Sequence, residues 1–166
     1  DWLKAEGNEP EETKWLENIK SESERMNELI SNLLDLAKLE NGAQKEEYTT
    51  TDSDKSAILV ENGGNATIEG ATISKTGGDS TNTENSEFYG INSGILVTQN
   101  STATIKNATI ETKAKGSNAV FSTGTDSKIY INDSKINTTG SSSSRGLDAT
   151  YGGYIEAENV EITTQG

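Results

Sequence analysis

The chain has 166 residues, of which 30% are hydrophobic and 5% aromatic; that is too little for the thick core of an ordinary globular domain, yet enough for a thin repetitive one. Against 14 basic residues stand 27 acidic ones, a formal net charge of −13, which repels phosphate backbones and anionic lipid and makes nucleic acid a poor partner. Cysteine and histidine are both absent, so disulfides, thiolate metal sites and the commonest general base are excluded.

No apolar run reaches the length of a membrane span. The chain begins at Asp1 and not at Met, and we expect it to be part of a longer protein. From Glu11 to about Glu40 there is no glycine, and apolar residues recur at Leu16, Ile19, Met26, Leu29, Ile30, Leu33, Leu36, Ala37 and Leu39, the spacing of a helix. Pro10 suits a first helical turn, Glu11 and Glu12 suit the positive end of the helix dipole, and Asn41-Gly42 supplies a left-handed stop. The spacing predicts one amphipathic helix of about 45 Å. Its apolar stripe is too wide to remain in water, so it must dimerise, join a bundle or fold back onto another element.

The run Lys14-Trp15-Leu16-Glu17-Asn18-Ile19-Lys20, continued through Glu24-Arg25-Met26 to Leu33-Leu34-Asp35-Leu36-Ala37-Lys38-Leu39-Glu40-Asn41, resembles the second helix of the dimerisation and phosphotransfer domain of bacterial sensor histidine kinases. The resemblance implies a partial dimerisation unit over residues 1–42, a homodimer formed through the helix, and a cytoplasmic setting. It also implies that Asp1-Trp2-Leu3-Lys4 is the end of a first helix and Ala5 to Glu9 the hairpin. The family's phosphorylated histidine and its nucleotide boxes are not in this sequence, so kinase activity is not expected of it. A second reading makes the helix a cap on the open end of a repeat array, although about 45 Å of helix would overhang a coil face only about 23 Å across.

A polar stretch rich in Thr, Asp, Glu and Lys follows over residues 43–55 and reads as a linker. Beyond it one pattern occurs four times: Ala66-Thr67-Ile68-Glu69-Gly70-Ala71-Thr72-Ile73, Ala103-Thr104-Ile105-Lys106-Asn107-Ala108-Thr109-Ile110, Ile129-Tyr130-Ile131-Asn132-Asp133-Ser134-Lys135-Ile136 and Ile155-Glu156-Ala157-Glu158-Asn159-Val160-Glu161-Ile162. The first, third, sixth and eighth positions are apolar or small, as in a strand, a corner and a second strand. The fifth position holds Gly70, Asn107, Asp133 and Asn159, residue types that tolerate positive φ, so the chain is expected to turn there in every copy. A third strand precedes each copy at Ala57-Ile58-Leu59-Val60, Gly94-Ile95-Leu96-Val97, Ala119-Val120-Phe121 and Leu147-Asp148-Ala149. Insertions over 77–90 and 138–146 are expected to protrude from one corner.

These columns predict a mainly β fold: a right-handed parallel β-helix of about four coils with three short strands per coil over residues 56–166, preceded by the long amphipathic helix. The pattern resembles the pectate-lyase-like β-helix superfamily, in particular the Thr-, Asn- and Gly-rich surface proteins and adhesins of bacteria. The resemblance implies an extracellular or cell-surface place, in conflict with the cytoplasmic one implied by the helix, and a polysaccharide or host-surface ligand. No polar cap closes the pattern at Gly166, and further coils are expected after it.

Catalysis is not expected. Hydrolases of this architecture use clustered Asp residues with a His, whereas the array has no His and no tandem Asp pair. A lyase needs calcium-binding carboxylates and a basic residue; Arg145, near Asp148, is the one arginine in the array and reads as a surface residue. Asp79, Glu84 and Glu87 could offer oxygen ligands to calcium, though solvated charge is the commoner role. The triplets at Asn65, Asn100, Asn107, Asn132 and Asn137 fit glycosylation acceptors, but turn chemistry already accounts for Asn107. Tyr89, Tyr130, Tyr151 and Tyr154 could stack on sugars, with Tyr130 at an outward strand position. The sequence therefore reads first as a non-catalytic surface solenoid, adhesive or carbohydrate-associated. A piece of a sensor histidine kinase comes second and a polysaccharide lyase-like protein third.

Overall fold

The computed structural model describes residues 9–40, 45–142 and 144–165, with helix side chains described from 13 to 30. The chain divides into two compact units, Asp1–Gln44 and Lys45–Gly166.

The first unit holds α1 (Glu9–Glu40), 32 residues long. Of the hairpin expected over Ala5 to Glu9, Glu9 is the first residue of α1 and the rest lies outside the described residues, as does the Asn41-Gly42 stop. Trp15, Leu16, Ile19, Met26, Leu29 and Ile30 are each more than half exposed, so the apolar stripe read from the sequence has no cover within the described residues of its unit.

The second unit is a parallel β-solenoid of about four turns. Its strands are β1 (Glu47–Thr50), β2 (Ile58–Val60), β3 (Asn65–Glu69), β4 (Thr72–Lys75), β5 (Ile95–Val97), β6 (Thr102–Lys106), β7 (Thr109–Thr112), β8 (Val120–Thr123), β9 (Lys128–Asn132), β10 (Lys135–Thr138), β11 (Leu147–Thr150), β12 (Tyr154–Glu158) and β13 (Glu161–Thr164). The first sheet runs β1-β4-β7-β10-β13, the second β2-β5-β8-β11 and the third β3-β6-β9-β12. Every pairing between coils is parallel, so the strands satisfy their backbone N–H and C=O groups against the strands of neighbouring coils.

Because the side-chain period of a strand is two, alternate residues of each strand meet their counterparts inside the coil. In the first sheet Ile73, Ile110, Ile136 and Ile162 share one inward column with Tyr48. The third sheet contributes Ile68, Ile105 and Ile131, closed by Ala157. The second contributes Ile58, Ile95, Val120 and Leu147. The middle coils bury these side chains completely, while the last coil leaves Ile162 42% exposed. A core only one coil deep therefore becomes continuous by stacking.

Gly70, Asn107, Asp133 and Asn159 all turn the chain with positive φ, at 67°, 51°, 50° and 51°. Left-handed backbone there rotates the chain from the third sheet into the first. The corner is stitched from coil to coil by Gly70 N–H to Lys106 C=O, Asn107 N–H to Asn132 C=O and Asp133 N–H to Glu158 C=O, at 2.9, 3.2 and 3.0 Å. The Asn159 amide donates to the Asp133 carboxylate at 2.6 Å. The corner between the second and third sheets is also left-handed, through Asn62 and Gly63, Gln99 and Asn100, Gly124 and Asp126, and Tyr151 and Gly152.

The linker expected over 43–55 is corrected in part. Glu47–Thr50 forms β1 and pairs along its length with β4, because the alternation Tyr48, Thr50 supplies inward residues that fit the column above Ile73 and Lys75. In that second column Thr50, Lys75, Thr112, Thr138 and Thr164 stack in register. Lys75 is fully buried, and its ammonium donates to the Asp52 carbonyl. Burial holds its pKa below the ordinary amine value, while the carboxylates of Asp52, Asp54 and Asp79 pull the other way.

Candidate functional site

The insertion over 77–90 does not protrude. It folds back over the outer face of the second sheet, and the reason is apolar. The outward column of that sheet reads Leu59, Leu96, Phe121, Asp148, and Leu96 and Phe121 are buried although they point away from the coil interior. Burying these two large side chains favours a cover by several kcal/mol, at roughly 1.5–3 kcal/mol each.

The cover contains α2 (Thr83–Phe88), capped by the Asn82 side chain, which accepts from Asn85 N–H at 3.1 Å. Polar ties fix its position. Asn118 Nδ2 donates to the Ser86 carbonyl at 3.0 Å, and the Thr150 hydroxyl donates to the Phe88 carbonyl at 2.7 Å. The Thr81 backbone N–H donates to Asp54 at 2.9 Å, its hydroxyl binds the same carboxylate, and the two bonds lower the Asp54 pKa. Gly90, with φ of 69°, lets the chain pass close over the sheet: a Cβ there would lie 2.4 Å from Phe121 Cδ1.

Beside the cover runs a groove of about 510 Å³. Leu59, Ile91 and Leu96 give it an apolar lining with Tyr89, and Asp54, Lys55, Glu61, Thr98 and Gln99 add polar groups. Leu59, at 50% exposure, is the one residue of the apolar column that the cover leaves open. Tyr89 stacks on Tyr151, with ring centroids 5.4 Å apart and planes inclined by 21°. Tyr151 holds φ of 50°, an uncommon conformation for a bulky residue, and its hydroxyl pKa is raised by its hydrogen bond with Tyr89.

Three residues on, past Gly152-Gly153, Tyr154 begins β12. Its ring meets Tyr130 at 6.1 Å and 57°, and its hydroxyl donates to Glu156 at 2.8 Å, which raises its pKa. Tyr130 points outward and is partly exposed. The structure thus brings the four tyrosines together as two pairs on either side of one corner. The sequence names the residues but not the pairing, because Tyr89 comes from an insertion whose folded path no period describes.

The other candidates are scattered. Asp79 accepts from Lys115 N–H at 2.9 Å, Glu84 lies in the first turn of α2, and among the described residues no three His, Cys, Asp or Glu side chains are placed to hold a metal. The calcium ligands considered from sequence are therefore not gathered, since Asp79 ties the insertion to the backbone of the next coil at Lys115. Arg145 pairs with Asp148 at 2.8 Å on the solenoid surface.

Residues 1–42 match the family model of the His Kinase A (phospho-acceptor) domain. No curated protein and no solved structure matches the chain. Among the described residues no helix is long and apolar enough to cross a membrane. The chain is a four-turn parallel β-solenoid that follows a segment similar to the His Kinase A (phospho-acceptor) domain.

Proposed function

We propose that the solenoid is a non-catalytic carbohydrate-binding module of a bacterial cell-surface protein. The observation that carries this reading is the groove on the second sheet, where an apolar floor lies beside exposed tyrosine rings and is ringed by hydrogen-bonding groups. Sugars present an apolar C–H face and a hydroxyl rim, and this pairing of surfaces is what recognises them. The test is retardation of the whole chain in native gels containing neutral β-glucan, mannan or polygalacturonate, with the recovered polymer sized afterwards. Retardation by a polymer that keeps its length supports the reading. Shortened polymer or unsaturated ends would make the protein an enzyme, and free migration through every gel would end the proposal.

The helical unit supports a separate role in self-association. The His Kinase A match and the exposure of Trp15, Leu16, Ile19, Met26, Leu29 and Ile30 favour pairing of α1 with a second copy. With no histidine in the sequence, phosphotransfer to a histidine is not part of this role. Sedimentation equilibrium should show a dimer that Ile19→Glu with Met26→Glu dissociates. A wild-type monomer at tens of micromolar would contradict it.

A further inference from the structure

The two tyrosine pairs stand on the same coil corner, and their connection has a consequence for the length and charge of the ligand. Tyr151 and Tyr154 are separated only by Gly152-Gly153, so their Cα atoms are at most about 10 Å apart. Tyr89 extends the surface into the groove on the second sheet. Tyr130 extends it along the third sheet, diagonal to Tyr154, where β9 and β12 pair Tyr130 with Glu156 and Lys128 with Tyr154. Tyr89, Tyr151 and Tyr154 are 48%, 59% and 46% exposed. The backbone is bent to present them: Tyr151 lies in the left-handed region, and the Gly153 position admits no side chain, since a Cβ there would lie 2.2 Å from the Ser122 carbonyl oxygen.

The charges beside the rings are mostly negative. Glu84 acts on the Tyr151 hydroxyl and Glu156 binds the Tyr154 hydroxyl, Asp54 and Glu61 line the groove, and Lys55 of the groove is paired with Asp52 at 3.3 Å. Lys128 stands opposite Tyr154, but the chain as a whole carries −13. Carboxylates accept hydrogen bonds from sugar hydroxyls and repel carboxylated sugars.

We propose that Tyr89, Tyr151, Tyr154 and Tyr130 form one continuous platform that holds a single uncharged glycan chain across the Gly152-Gly153 corner. The inference rests on the carbohydrate-binding reading and adds to it a ligand several sugars long without acidic groups. A ligand that touches both pairs gains from each, so affinity rises with length until the corner is spanned and then levels off.

Isothermal titration of the whole chain with neutral β-gluco-oligosaccharides, a trisaccharide and a hexasaccharide, tests this, with a hexagalacturonate as the anionic counterpart. Two variants delete one ring each while keeping the local backbone: Tyr151→Gly, which suits the left-handed conformation, and Tyr130→Thr, which copies Thr67 and Thr104 of the same column. The hexasaccharide should bind about tenfold more tightly than the trisaccharide, and each variant should remove most of that gain, given the worth of an aromatic contact. The hexagalacturonate should bind more weakly than its neutral counterpart. If Tyr130→Thr leaves hexasaccharide affinity unchanged, or the hexagalacturonate binds better, the continuous neutral platform is wrong while sugar binding stands. If no oligosaccharide and no polymer binds, the carbohydrate reading falls and this inference falls with it.

Discussion

Asn107 turns the chain at a φ of 51° with its amide bonded to the next coil, and a β-branched side chain cannot follow it there without strain. Asn107→Val should lower stability by about 1–2 kcal/mol, the cost of left-handed backbone in an L-residue, whereas Asn107→Gly should stay close to wild type; urea unfolding followed by circular dichroism distinguishes the two. This corner is legible in sequence because all four copies use residue types with a physical reason to be left-handed. The corner at Tyr151 is not, since nothing in a tyrosine announces positive φ. Lys75 is equally illegible: period two places it inside, while the cost of burying an ammonium argues against that place, and its bond to the Asp52 carbonyl with the carboxylates of Asp52, Asp54 and Asp79 reconciles the two. Because its pKa is lowered in the fold, the unfolded chain binds more protons between that lowered value and the ordinary 10.5, and the Lys75 contribution to stability rises with pH across that interval. Comparing wild type with Lys75→Met by denaturant titration from neutral pH upward should show the wild type gaining on the variant as pH rises. A constant difference would mean that Lys75 is not buried as a charge.

Among the elements, the strands after residue 56 are legible because each copy repeats the same inward columns, and α1 because its apolar spacing is long and uninterrupted. Two elements are less so. β1 has a single coil's worth of pattern, Tyr48 and Thr50, set among charged residues, and only the partner strand β4 gives it a reason to be extended. The insertion over 77–90 has the composition of a loop, yet the outward Leu96 and Phe121 are the hidden signal that something must cover them. Gly90→Ala tests that cover. A methyl group within 2.4 Å of the Phe121 ring must displace the insertion or the ring, at about 1–3 kcal/mol. The expected result is faster amide exchange over residues 80–90 with the strands of the first and third sheets unchanged. Equal exchange in variant and wild type would show that the cover does not depend on this close approach.

For the whole molecule, the two units follow different logics. The solenoid gains stability from nearest-neighbour stacking, so a cavity in a middle coil weakens the coils on both sides: Ile105→Ala, in a fully buried position, should cost about 2–5 kcal/mol, read by thermal unfolding. The same truncation at Ile162, which is 42% exposed, should cost much less. The site was half legible at this scale. Its tyrosines stand out in a sequence with 5% aromatics, but their assembly depends on the path of an insertion and on one glycine-rich corner. The measurement that bears most directly on the account is hydrogen–deuterium exchange of the whole chain with and without a neutral β-glucan. The expected result is slowed exchange over residues 83–91 and 150–156, with α1 unchanged and the glucan undegraded. Unchanged exchange throughout, or protection confined to α1, would contradict it.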